Sequence, residues 1–173
     1  MARAAPAPSG GDARTRFEAL YRAHYQDLLG YALRRCDRPE DAADVVAETF
    51  LVAWRRLDVV PVDQARAWLF GVARNAMANQ HRADRRRTNL AARLRSELAQ
   101  AEVVRADVPD EVRDAFRELP EADRELLRLV AWEGLSTDEL TVALDCSANA
   151  VRIRLHRARR RFADALRRPS LTA

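Results

Sequence analysis

Six arginines, Arg152, Arg154, Arg157, Arg159, Arg160 and Arg161, lie between Val151 and Phe162 with no carboxylate among them. A guanidinium offers a rigid fork of donors that pairs with phosphate oxygens or with the edge of a guanine. An unbroken cluster of such groups is therefore chemistry for nucleic acid. In the same segment Val151, Leu155, Ala158, Phe162 and Leu166 recur at helical spacing, which predicts one buried stripe beneath the arginines. Ser136 and Glu139 have the spacing of a capping box. They open a short helix whose apolar side is Leu140, Ala143 and Leu144. Asp145 suits a turn and Ser147 an N-cap, so Asp145-Cys146-Ser147 forms the break before the arginine helix. A capped short helix, a tight turn and an arginine-loaded second helix are the parts of a helix-turn-helix. A basic amphipathic helix can also lie on a membrane or meet an acidic partner. A solvated helix usually mixes both signs, however, and a membrane-surface helix has no use for the capped helix before it.

Within the second helix Asn149, Arg152 and His156 follow at i, i+3 and i+7, opposite the buried stripe, and are expected to read base edges. Ile153 and Arg157 flank that face. Arg154, Arg159, Arg160 and Arg161 are expected on backbone phosphates, which fix register without reading sequence.

Catalytic chemistry has no comparable signal. His24, His81 and His156 are scattered, with no metal-binding or nucleophile-activating pattern, and no glycine-rich phosphate cradle occurs. Cys36 and Cys146 fit no ligand spacing and are expected to be small buried residues of a reduced, cytoplasmic protein. No catalytic residue, metal or cofactor is therefore expected. Nor is membrane insertion, because no apolar run approaches the roughly 20 residues that span a bilayer. Net charge is +4, and all 30 basic residues are arginine. A GC-rich coding sequence would also favour arginine and alanine, so the placement of the charge matters more than its total.

The elements that must position these groups are helical throughout, since glycine is scarce and strand-type alternation is absent. A disordered tail is expected over residues 1–12. A first helical module follows over 13–87, then a linker over 88–108, where the apolar stripe is diluted. A second module occupies 109–168, and a tail 169–173. In the first module, periodicity predicts helices over 15–35, 40–57 and from 65 into the arginines 85–87, with Pro39 starting the second and a loop at 58–64. The inner residues are expected to be Phe17, Leu20, Tyr21, His24, Leu28 and Tyr31, then Val46, Phe50, Ala53 and Leu57, then Leu69, Val72, Ala73 and Ala76. Trp54 and Trp68 are also expected inside. Asp41, Asp44 and Glu48 make an acidic ridge on another face. In the second module short helices are expected over 109–119 and from Pro120, with Leu126, Leu127 and Val130 packed on the helix-turn-helix.

Taken together, these segments resemble the extracytoplasmic-function (ECF) group of sigma-70 RNA polymerase sigma factors. In the first module the resemblance rests on Asp41-Ala42-Ala43-Asp44-Val45-Val46-Ala47-Glu48-Thr49-Phe50-Leu51, on Ala53-Trp54-Arg55 and on Trp68-Leu69-Phe70-Gly71-Val72-Ala73-Arg74-Asn75. In the second it rests on Leu119-Pro120, Arg124-Glu125, Glu133-Gly134-Leu135-Ser136 and Arg157-Ala158-Arg159. It spans nearly everything from Phe17 to Leu166, and the order and spacing of the pieces make it specific.

The resemblance implies two small all-α domains, sigma region 2 and a region 4 helix-turn-helix, joined by a linker. It implies that the ridge Asp41, Asp44 and Glu48 meets the clamp helices of the largest subunit of core RNA polymerase. Val60, Val62, Arg74, Asn75, Asn79 and Arg82 would recognise the −10 promoter element, with Val59, Val60 and Val62 as apolar walls for a flipped base. Asn149, Arg152, Ile153, His156 and Arg157 would recognise the −35 element. The partners implied are core polymerase, promoter DNA and an anti-sigma factor. The chain departs from the family pattern at Ala43 and Ala47, which bears on the polymerase contact, and at Asn149-Ala150-Val151 and Ile153, which bears on its −35 preference. The alternatives are a helix-turn-helix regulator that binds operators as a dimer, or an adaptor that sequesters a sigma factor; the latter has little use for the arginine helix.

Overall fold

A computed structural model describes residues 10–87 and 109–168, with side chains over 11–82 and 109–168. The expected linker 88–108, the tail 169–173 and residues 1–9 of the N-terminal tail lie outside the described residues, as do the side chains of 85–87. Among the described residues the regular structure is helical. The chain divides into two compact units, residues 1–80 and 81–173.

The first unit contains α1 (Gly10–Leu33), α2 (Pro39–Arg55) and most of α3 (Ala65–Arg87). α1 begins before the first apolar residue of its stripe. Its opening turn is polar and carries no periodicity, but Asp12 complements the helix dipole there and Arg14 pairs with Glu18 at 3.1 Å. Pro39 begins α2 with its φ already helical. α1 and α2 pack on each other along Leu28, Tyr31 and Ala32 against Ala42, Val45, Val46, Thr49, Phe50 and Ala53. α3 contributes Leu69, Phe70, Ala73, Ala76 and Met77 to the core, and Phe70 stacks on Tyr31 at 4.7 Å. Arg66 of α3 reaches Asp27 of α1 at 3.0 Å. Two single 3-10 turns, Leu57–Val59 and Val62–Gln64, replace the expected loop. The Arg16 guanidinium donates to the Leu57 carbonyl at 3.3 Å and ties the first turn to α1.

Two expected core aromatics stand at the rim. Trp54 is 47% exposed, with one edge against Phe17 at 5.1 Å, and Tyr21 is exposed beside Phe50 and Tyr25. A seam between two helices covers one side of such rings and leaves the other in water.

The second unit contains α4 (Asp110–Arg117), α5 (Glu121–Ala131), α6 (Thr137–Leu144) and α7 (Ala148–Leu166). Pro109 and Pro120 occupy the N-cap positions of α4 and α5. α4, α5 and α6 all pack on α7. The buried line of α7 is Val151, Ala158 and Ala165, seven residues apart, so Leu166 falls beside it and is exposed, contrary to the expected stripe. In α5 the buried pair is Leu126 and Leu129, with Leu127 and Val130 only half-buried. Gly134, at φ +65°, supplies the left-handed step between α5 and α6 that a side chain would resist. That step delivers Leu135 into the core.

Candidate nucleic-acid interface

The helix-turn-helix is built from local bonds. Ser136 Oγ accepts from the Glu139 amide at 3.2 Å, and the Ser136 amide donates to Glu139 Oε2 at 2.8 Å, completing the capping box of α6. Asp145 ends α6 in the left-handed region, φ 49° and ψ 54°, where a short polar side chain is better tolerated than a bulky one. The Cys146 amide closes the turn on the Thr141 carbonyl at 3.1 Å, and Ser147 Oγ accepts from the Ala150 amide at 3.2 Å to cap α7. The turn thus fixes the N-terminus of α7, while Leu140, Ala143, Val151 and Ala158, all buried, fix its rotation.

That rotation puts Asn149, Arg152, Ile153, Arg154, His156, Arg157, Arg159, Arg160 and Arg161 in solvent. The arginines fall into two sets. Arg152, Arg157 and Arg159 have no acidic partner among the described residues. Arg161, in contrast, donates to Asp123 of α5 at 2.5 Å, and Arg168 to Glu118 at 3.1 Å. Arg160 is held loosely by Asp164 at 3.9 Å, and Arg154 lies 3.9 Å from the Cys146 sulfur. Arg154 and Arg161 are seven residues apart and therefore share one flank of α7. The sequence could not show that Arg161 is engaged, because Asp123 is 38 residues away. At the centre of the solvent face Ile153 is 43% exposed, an alkyl group among polar neighbours.

In the first unit Asp44 and Glu48 are exposed, while Asp41 is half-buried and bound by Arg38 at 2.6 and 2.9 Å. Beside this ridge the outward face of α2 carries Ala43, Ala47, Leu51 and Trp54, an apolar strip not expected from the sequence. Its signal in the sequence is the i, i+4, i+8 recurrence of Ala43, Ala47 and Leu51 on a second face of α2, continued by Trp54, which the sequence places inside. Of the residues expected to recognise the −10 element, Asn75, Asn79 and Arg82 lie on the exposed side of α3 and Arg74 is half-buried. Val62 is 84% exposed and Val59 is exposed, whereas Val60 is 7% exposed and belongs to the core. Only the first two of these three valines face outward.

Among the described residues two titratable groups, Cys36 and His24, differ from their ordinary behaviour. Burial, then Asp41 and Asp37, push the Cys36 thiol up to about 11 against the opposing Arg35. At neutral pH it is a thiol and a poor nucleophile. Burial lowers the pKa of His24, with Asp27 opposing and Arg66 reinforcing the shift. Among the described residues no helix is long and apolar enough to cross a membrane.

The two units match two different family models: Sigma-70 region 2 over residues 20–87 and Sigma-70, region 4 over residues 110–162. The chain is 33% identical over 151 residues to the ECF RNA polymerase sigma factor SigL of Mycobacterium tuberculosis, covering 81% of this chain and 82% of that one. A solved structure of CnrH in complex with the cytosolic domain of CnrY is similar at 31% identity and TM-score 0.58, covering 89% of this chain and 94% of that one. The sigma factor RpoE of Bartonella quintana, solved with the anti-sigma factor NepR, shares the fold at 22% identity and TM-score 0.56, over 90% of this chain and 96% of that one.

Proposed function

The chain belongs to the ECF group of sigma-70 RNA polymerase sigma factors, and from that premise we propose how its two units divide the work of starting transcription. The first unit docks on core RNA polymerase, on the clamp helices of the largest subunit, through the outward face of α2. Asp44 and Glu48 set register and encounter rate there. The strip Ala43, Ala47, Leu51 and Trp54 supplies the apolar contact. α3, through Arg74, Asn75, Asn79 and Arg82, and the segment carrying Val59 and Val62 engage the −10 element. The second unit reads the −35 element with Asn149, Arg152, Ile153, His156 and Arg157, and holds the backbone with Arg154, Arg159 and Arg160. Arg161 is spent mainly on Asp123.

The observation that carries this division is the outward face of α7: exposed cations without carboxylate partners on a helix whose rotation is locked from behind. Bond making belongs to the polymerase, and the chain acts in the cytoplasm where polymerase and chromosome are. Because CnrH, a similar chain, has been solved with the cytosolic domain of CnrY, an anti-sigma factor of this chain is proposed to cover one or both units and withhold them from polymerase.

The test is transcription from genomic DNA by core polymerase plus the purified chain. Initiation at discrete sites absent with core alone is the expected result. Binding of the chain alone, as a dimer, to palindromic sites with no new transcript would replace this reading with an operator-binding regulator.

A further inference from the structure

The −35 readout assigned above leaves one side chain with no hydrogen-bonding role. Ile153 is 43% exposed in the middle of the solvent face of α7, with Asn149, Arg152, His156 and Arg157 exposed around it. The helix packs through its opposite side, where Val151, Ala158 and Ala165 are buried, so an alkyl group at this position adds nothing to the core. Among the described residues of this unit the other large exposed apolar ones, Trp132 and Leu166, sit at the ends of α5 and α7. Ile153 is therefore a single alkyl group in a polar, cationic field, which gives an apolar protein surface little to hold.

The floor of the DNA major groove does offer it a partner. Among the groups that base pairs present there, thymine alone carries a methyl, at C5, beside donors and acceptors that the surrounding polar side chains can meet. Isoleucine is also suited to the task by stiffness, because a β-branched side chain in a helix keeps essentially one χ1 rotamer and holds its methyls in place. We propose that Ile153 is a specificity-determining residue that recognises the C5-methyl group of a pyrimidine within the −35 element. The proposal rests on the promoter-reading function above. Its ligand chemistry is a C5-methylated pyrimidine, either thymine or 5-methylcytosine.

The experiment uses holoenzyme assembled from core polymerase and the full chain. A −35 element is first selected from a randomised library, and each thymine in it is then replaced singly by deoxyuridine, which removes the methyl and keeps the pairing edge. In parallel, each cytosine is replaced by 5-methylcytosine. At one thymine, loss of the methyl should weaken binding about fourfold, the factor corresponding to ~0.8 kcal/mol for one buried methylene-sized group. Ile153→Ala holoenzyme should bind the thymine and deoxyuridine promoters equally, and Ile153→Val should keep most of the discrimination. A similar gain at one cytosine on methylation, lost in Ile153→Ala and without any thymine effect, would support the proposal with methylcytosine as the source. Methyl-insensitive binding at every position, or sensitivity that persists in Ile153→Ala, would overturn it while leaving the promoter-reading function standing. Failure to select any −35 sequence would overturn both.

Discussion

α2 and α7 are each amphipathic helices with one locked inner face, yet their outer faces have opposite chemistry. α2 presents Asp44 and Glu48 beside Ala43, Ala47, Leu51 and Trp54, an acidic ridge along an apolar strip. α7 presents Arg152, Arg157 and Arg159 around a single isoleucine. An apolar strip with a half-exposed tryptophan is suited to a desolvated protein contact, where aromatic anchors dominate the energy. A field of unpaired guanidinium groups is suited to phosphate and base edges, where charge dominates and salt weakens binding. Helical architecture is therefore neutral between the two partners, and the outward residues choose. Breaking one face should leave the other's partner nearly untouched.

The largest effect should come from α2. Trp54→Ala is expected to weaken binding to core polymerase by about 2 kcal/mol or more, the usual scale for a truncated aromatic anchor. Reversing Asp44 and Glu48 to arginine should weaken it further and slow association. Both positions are exposed, so far-UV helicity should not change. Competition measurements against the parent chain provide the check. Parental affinity in both variants would remove α2 from the polymerase interface.

A middle-sized effect belongs to α7. Arg152→Ala should cost roughly 1–3 kcal/mol on the preferred −35 sequence and relax preference at one base pair. Arg160→Ala should lower affinity for every promoter alike and reduce the salt slope by about one. Selection from a randomised −35 library by the two mutant holoenzymes separates these outcomes. An unchanged sequence profile for Arg152→Ala would move it from the base-reading group to the phosphate group. Core affinity should stay at the parental value in both variants, which is the reciprocal of the α2 test.

Legibility in the sequence followed the range of each interaction. The capping box of Ser136 and Glu139, the turn at Asp145 and the N-cap at Ser147 are settled within three or four residues, and the structure has all three as the sequence predicted. The core lines were legible through periodicity but shifted by one position at Leu129 and Ala165, where neighbouring helices select which of two adjacent apolar residues is covered. Trp54 misled because a large aromatic signals burial without saying how much of it is covered. The Arg161–Asp123 pair was invisible, since it joins α7 to α5 and neither residue carries a local mark of the other. Val60 and Val62 show the same limit at short range. They alternate in sequence as equals, and only the fold makes one core and the other solvent.

The smallest expected effect lies inside the arginine set itself. Arg161 and Arg159 are two residues apart on one helix, but Asp123 engages the first at 2.5 Å and no carboxylate among the described residues engages the second. Asp123 has little exposure of its own, so its charge is less screened than that of a free surface carboxylate. An arginine satisfied in this way contributes less to counterion release than its count in the sequence implies. Arg159→Ala should therefore reduce the magnitude of the salt slope of promoter binding by about one, while Arg161→Ala should reduce it by clearly less. Asp123→Asn should act in the opposite direction, freeing Arg161 for phosphate and raising the slope and non-specific affinity together. Salt titrations of holoenzyme on one promoter and on one unrelated duplex measure all three. If Asp123→Asn instead lowers affinity on both duplexes with an unchanged slope, the pair only braces α7 against α5, and the division of the arginines into engaged and free sets carries no consequence for DNA.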